Sequence, residues 1–219
     1  MVACWGDDYG TGGAPADMRF ADLELGQGHT CGLTEEGLLL CWTHAPPSTV
    51  PEVQARSVST DYFVTCAVDL DGLLQCWAHR ELTPGSTALY EDAPTGEPTE
   101  RVGVGREHAC RLHADGTLSC WGSDDYGKAT PPGGSGWVDV QGGVAHSCAL
   151  DADGYVSCWG IDVGDSVDSY DGGQVTDAPD LRFRSLAVGA GHNCGVTPDD
   201  EIVCWGRNHA GECDVPEGL

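Results

Sequence analysis

GREHACRLHADGTLSCWG, residues 105–122, holds two cysteines ten positions apart, a turn-forming Asp115-Gly116 between them, and Trp-Gly directly after the second. Two short runs flanking such a turn read as a β-hairpin. Folded symmetrically, the hairpin sets Cys110 opposite Cys120. Facing residues in an antiparallel pair lie about 4.5–5.5 Å apart at Cα, a separation that a disulfide spans. Side-chain alternation then turns Trp121 to the other face of the sheet from Cys120. A sheet with something to bury on both faces must be covered on both, as in blades stacked around a ring.

The same pattern is written five times, as hairpins 29–42, 64–77, 108–121, 146–159 and 192–205 within a single domain, 1–219. The cysteine pairs are Cys31/Cys41, Cys66/Cys76, Cys110/Cys120, Cys148/Cys158 and Cys194/Cys204, every pair ten apart. Each bridge closes a short loop and contributes roughly 3 kcal/mol in the chain-entropy model. The turns TEEG (34–37), DLDG (69–72), HADG (113–116) and DADG (151–154) end in glycine, and Asp200 stands in that place in the fifth unit. Glycine there supplies the positive φ of a longer hairpin loop, and Asp tolerates it better than most residues. A further strand precedes the hairpin in FADLELG (20–26), RVGVG (101–105), WVDVQGG (137–143) and RSLAVGAG (184–191). Counted from Cys4, the Cys-Trp marks are 37, 35, 44, 38 and 46 residues apart. A period near forty belongs to propellers and solenoids.

The chain is acidic, with 35 Asp and Glu against 10 Lys and Arg and a net charge of −25. Such a surface repels phosphates and anionic lipid, which excludes nucleic acid and membrane-surface partners and favours a cationic one. No apolar run is long enough to insert in a membrane. The disulfide framework points to a secreted or cell-surface protein. The N-terminus has no basic segment followed by an apolar one, so the start is that of a mature or trimmed chain, or export uses another route.

The repeated residues resemble a known family. VGVGREHACRL (102–112) with GTLSCWGSDDYG (116–127), and LAVGAGHNCGV (186–196) with CWGRNHAGECDVP (204–216), are similar to the regulator of chromosome condensation repeat, especially its bacterial, disulfide-bearing versions. The resemblance implies an all-β propeller with blades of about four strands, whose rims serve as protein-binding surfaces. The second unit departs from the pattern, with Val64 in place of the histidine and Thr43-His44 where glycine is usual.

His29, His108, His146 and His192 precede a cysteine by two and share its face. A closed zinc site needs four ligands, and no fourth recurs with the repeat, so these histidines read as structural and no metal is expected. The Asp-rich turns, among them DDYG (7–10, 124–127), lack the twelve-residue series of a calcium loop and read as turn chemistry, so no cofactor is expected and calcium is not favoured. No Gly-x-Ser-x-Gly elbow, P-loop, His-Glu-x-x-His or dinucleotide fingerprint is present, and the chain reads as a binding protein rather than an enzyme. Two connectors are long, 79–100 and 161–180, and insertions in repeat rings often map to one binding face. Tyr90, Asp168, Tyr170 and Asp171 are the candidate partner contacts within them. Two alternatives stand beside this reading: a self-assembling subunit joined through its open terminal strands, and a carboxylate-based hydrolase or lyase at the propeller mouth. Cys4 and Cys213 have no partner ten residues away, which pairs them as a bridge latching an N-terminal strand onto five full blades, with a sixth half-blade as the rival.

Overall fold

A computed structural model describes residues 18–26, 29–43, 53–61, 64–78, 93–161 and 171–216. Among the described residues, fifteen strands form five antiparallel sheets of three, each in sequential order. The first comprises β1 (Phe20–Gly26), β2 (His29–Thr34) and β3 (Leu39–Thr43); the second β4 (Ala55–Asp61), β5 (Val64–Asp69) and β6 (Leu74–Ala78). The third holds β7 (Thr99–Gly105), β8 (His108–His113) and β9 (Leu118–Gly122); the fourth β10 (Trp137–Gly142), β11 (His146–Asp151) and β12 (Val156–Gly160). The fifth is β13 (Ser185–Val188), β14 (His192–Val196) and β15 (Ile202–Gly206). The fold is an all-β propeller, with three strands per sheet among the described residues where the family resemblance implies about four.

The hairpin register sets Cys31 against Cys41, Cys66 against Cys76, Cys110 against Cys120, Cys148 against Cys158 and Cys194 against Cys204. All five pairs are bonded. The fourth turn position takes positive φ in every hairpin, at Gly37, Gly72, Gly116, Gly154 and, at 67°, Asp200. β4 carries no apolar run that would mark it in the sequence. It is a strand because its hydroxyls meet the free backbone edge of the next sheet: Val102 N donates to Ser57 Oγ at 3.4 Å and Val104 N to Ser59 Oγ at 2.9 Å. Unpaired N–H groups on an inner edge strand require such partners.

Consecutive sheets stack so that the disulfide face of one meets the tryptophan face of the next. Cys31, Leu33 and Leu39 pack on Val58, Ala67 and Trp77. Cys66 and Val68 pack on Val102, Val104 and Trp121, and Cys110 and Leu112 on Val140, Ala149 and Trp159. Cys148 and Leu150 complete the series against Leu186 and Trp205. A hydrogen-bonded pair crosses three of these seams. His29 Nε2 lies 3.1 Å from Thr65 Oγ1, His108 Nε2 2.8 Å from Ser147 Oγ, and His146 Nε2 2.8 Å from Asn193 Oδ1. The remaining seam joins the sheet with Val64 to the sheet with Ala109, so the histidine and its polar partner are replaced together by apolar residues.

The connectors seal two of the seams. Trp159 Nε1 donates to the Lys128 carbonyl at 2.9 Å, as does the Ser147 hydroxyl at 3.0 Å. Trp205 Nε1 and Asn193 Nδ2 donate to the Gln174 carbonyl at 3.2 and 2.8 Å. Lys128 and Gln174 each follow a left-handed glycine, Gly127 (φ 75°) and Gly173 (φ 82°).

Seam spacing depends on Gly103, where an added Cβ would stand 2.4 Å from the Val140 carbonyl oxygen. Gly103→Ala is therefore expected to lose about 1–3 kcal/mol of stability in denaturant unfolding by forcing the third and fourth sheets apart. Gly133→Ala, with nothing within 4 Å, is the matched control and should change little.

Candidate functional site

The inner strands of all five sheets line one central cavity of about 350 Å³, with Glu24, Ser59, Val104, Gln141 and Ala187 on its walls. It opens into a wider mouth of about 850 Å³ bordered by Asp22, Arg56, Arg101, Asp139 and Arg184. Glu24 is placed by pairing with Cys31, and Gln141 by pairing with Cys148, so both occupy the same level of their sheets. The equivalent position holds Ser59, Gly103 and Ala187 in the other three.

Three carboxylates gather here. Asp22 and Asp139 each accept a hydrogen bond from the next backbone N–H, Leu23 and Val140, both at 2.9 Å. Arg101 Nε stands 3.9 Å from Asp139 Oδ1, a long ion pair. Withdrawal from water pushes the Asp139 carboxyl up to about 6, opposed by Arg101, by the Val140 N–H and by Gln141, and reinforced by Asp22. Glu24 is held well above the ordinary carboxylate range, first by burial and then by the charges of Asp22 and Asp139. Asp22 is raised by burial too, with Leu23 N–H and Arg101 acting against the shift. Carboxyls whose pKa is raised by burial hold the proton to higher pH than free ones and can serve as hydrogen-bond donors or acids in a cleft.

The mouth also collects positive charge. Arg56, Arg101 and Arg184 border it, from the second, third and fifth sheets' inner side. Arg56 pairs with Glu100 at 3.0 Å and donates from Nε to the Asp69 carbonyl at 3.1 Å. Arg184 pairs with Asp200. In a chain of net charge −25, this is a mixed-charge opening surrounded by an acidic surface.

The residues singled out from sequence distribute differently. The repeat cysteines are paired as disulfides, so they offer no thiolate beside the histidines. His108 and His146 are held to about 4, chiefly by burial. Among the described residues no group of three or more His, Cys, Asp and Glu is arranged to hold a metal ion. Cys213 is a free thiol, which corrects the closing bridge to Cys4: its Sγ donates to the Arg207 carbonyl at 3.5 Å, and Asn208 Oδ1 accepts its N–H at 2.9 Å, folding it into its own turn. Cys4 and the latching strand lie outside the described residues, as do Tyr90, Asp168 and Tyr170. Asp171 is half-buried, with Oδ1 accepting the Gly173 N–H at 3.1 Å. The channel carboxylates escaped the sequence reading because 35 acidic residues hide three. The available signal was position: Glu24 sits where the other repeats carry Ser, Gly, Gln and Ala.

The model of the regulator of chromosome condensation (RCC1) repeat matches residues 100–128 and 183–212. Two stretches of the chain, in its third and fifth repeats, therefore match this repeat. Several solved structures are similar in fold over most of the chain. The ectodomain of the receptor kinase CR4 from Physcomitrella patens is 23% identical with a TM-score of 0.66, over 88% of this chain and 52% of that one. The ectodomain of the receptor kinase ACR4 from Arabidopsis thaliana is 25% identical, with a TM-score of 0.61, over 88% of this chain and 65% of that one. Prp20p from Saccharomyces cerevisiae is 18% identical, with a TM-score of 0.67, over 89% of this chain and 59% of that one. The chain therefore spans between about half and two thirds of the length of these structures. No curated protein sequence matches it.

The channel carboxyls and seam histidines have opposite pH dependence. Asp139 has a folded value above its ordinary 3.8, so its contribution is most favourable at low pH and is lost as pH rises through about 6. His108 and His146 lie below their ordinary 6.5, so their contribution is present above that value and lost as pH falls toward 4. Asp139→Asn is expected to raise the melting temperature near pH 8 and leave it close to wild type near pH 4. Calorimetry across that interval reads the difference directly.

Proposed function

We propose that this protein is a secreted or surface-displayed protein-interaction module that holds its partner through the connectors on one rim. The observation that carries the reading is how the repeated residues are used. The histidines, cysteines, tryptophans and turn glycines are engaged in seams and turns, which leaves the unrepeated connectors to supply specificity. The connectors 79–100 and 161–180 bring two tyrosines, Tyr90 and Tyr170, into a setting rich in Asp. Aromatic anchors ringed by acidic residues suit a basic protein surface and steer its approach electrostatically.

Location outside the cell is supported by five disulfides and by the likeness to two receptor-kinase ectodomains. Binding of proteins is supported by the likeness to Prp20p, described with its binding properties to Gsp1p and histones. The test is capture of partners on immobilised protein with segment 161–180 intact or replaced by a short Gly-Ser linker. A partner held by the intact protein, released by the replacement and weakened by salt is the expected result. Equal capture by both forms sinks the rim reading.

The raised carboxyls of Glu24 and Asp139 favour one second reading, a hydrolase or lyase working at the channel mouth. Turnover in a broad hydrolytic screen that disappears in Asp139→Asn, with partner capture unchanged, would select it over the binding role.

A further inference from the structure

The hairpin of the third sheet combines polar side chains that the other four repeats do not. Arg111 pairs with Ser119 across it, and His113, two residues after Arg111, lies on the same face. At the place of Arg111 the other repeats have Gly32, Ala67, Ala149 and Gly195. At the place of His113 they have Thr34, Asp69, Asp151 and Thr197. A small residue suits the first sheet because the ring of Phe20 lies over Gly32. In the third sheet Thr99 pairs with His113 where Phe20 pairs with Thr34, which makes room for a long side chain. The segment leading into β7 then brings Glu97 to the same spot: its Oε2 accepts from Arg111 Nη2 at 2.9 Å and stands 3.8 Å from His113 Nδ1.

The hydrogen bonds among these groups have a direction. A guanidinium only donates, so Ser119 Oγ accepts from Arg111 Nε at 3.0 Å and keeps its own hydrogen to give. His113 Nε2 lies 2.8 Å from that oxygen. The Glu97 carboxylate draws the imidazole hydrogen to Nδ1, which leaves the lone pair on Nε2 to receive the serine O–H. Carboxylate, imidazole and hydroxyl in this order are a nucleophile, its base and the group that orients the base. The carboxylate contact is long, as such contacts are before a substrate binds. Arg111 adds a donor to the nucleophilic oxygen, which favours its ionised form. Its side chain is 7% exposed, and Nη1 is buried with no hydrogen-bond partner among the described residues. An unmatched buried donor costs stability, and the other four repeats fold with a hydrogen or a methyl group in its place.

We propose that Ser119 is an activated nucleophile that takes the acyl group of small carboxylic esters. Its Oγ bonds to the ester carbonyl carbon while its proton passes to His113 Nε2. The bond from that carbon to the alcohol oxygen breaks, and the alcohol leaves with the proton from His113. Water then gives a proton to the same nitrogen and attacks the acyl-serine, releasing the carboxylic acid and restoring the hydroxyl. Glu97 is a positioning residue: it fixes the tautomer and balances the imidazolium charge. Ser119 and His113 are half-buried on a strand face, so a short acyl chain is the class that fits. The activity is separate from the rim-binding role and from the channel carboxyls.

The experiment treats the oxidised, full-length protein with p-nitrophenyl acetate and, separately, with a fluorophosphonate, and locates the label by peptide mass spectrometry. Ser157 is the control within the same molecule: it holds the position of Ser119 in the fourth repeat, pairs with Ala149 and is exposed. Label on Ser119 roughly tenfold or more above Ser157 is expected, with release of p-nitrophenolate. His113→Asn should slow acylation by about 10²–10⁴-fold. Glu97→Gln should lower kcat with KM unchanged, and Asp139→Asn should alter neither. Label on Ser157 equal to that on Ser119, no label on either serine, or acylation unchanged in His113→Asn overturns the inference. The comparison of the two serines in wild type decides it if a variant does not fold.

Discussion

The packing of a disulfide face against a tryptophan face is the contact on which the whole molecule depends. A three-stranded sheet this small cannot bury enough surface to stand alone. The cross-strand bridge fixes the register of each hairpin, which places the histidine, the cysteine and the next apolar residue on one side and tryptophan on the other. Stacking then covers both sides at once, and Cys31, Cys66, Cys110 and Cys148 are shut away from solvent entirely. Within a seam, burial does the bulk of the stabilising, and the histidine pair adds direction. A buried imidazole that missed its hydroxyl or amide would be penalised by about 1–3 kcal/mol.

The channel follows from the same stacking. Each inner strand presents alternate side chains to its neighbours, and at the level of the disulfides those residues are small or polar: Ser59, Gly103, Gln141 and Ala187. The exception is Glu24, a carboxyl two residues from Asp22 on its own strand and near Asp139 of the fourth sheet. One guanidinium, Arg101, acts on all three and opposes the rise that burial imposes on them.

Hairpins, bridges and the sidedness of tryptophan were legible because they depend on residues close in sequence, with a fixed spacing of ten and a two-residue alternation. The strand Ala55–Asp61 was not, since ARSVSTD has the hydroxyls of a loop and acquires its role only from the edge of the sheet that follows. The channel acids were hidden for a related reason: nothing within FADLELG itself marks Glu24 as buried, and only comparison with Ser59, Gly103, Gln141 and Ala187 at the same place in the other repeats points to it. Cys213 shows the weakness of pairing by arithmetic. An even count of twelve cysteines invited a sixth bridge, yet the turn Asn208–Asp214 folds on itself, with Asn208 Nδ2 donating to Asp214 Oδ1 at 2.9 Å.

The joint replacement of histidine by Val64 and of its partner by Ala109 turns the seams into addresses. A sheet bearing Ala109 has no group to receive an imidazole, and a sheet bearing Val64 makes no use of a hydroxyl. The second sheet therefore accepts the third at no polar penalty, while any other sheet placed behind it, or the third placed behind any histidine-bearing sheet, leaves a polar group without its mate. The second and third sheets, built on the same template as the others, are in this way kept together in that order. The distinction is carried by two methyl-bearing side chains and not by the bridges, which are the same in all five.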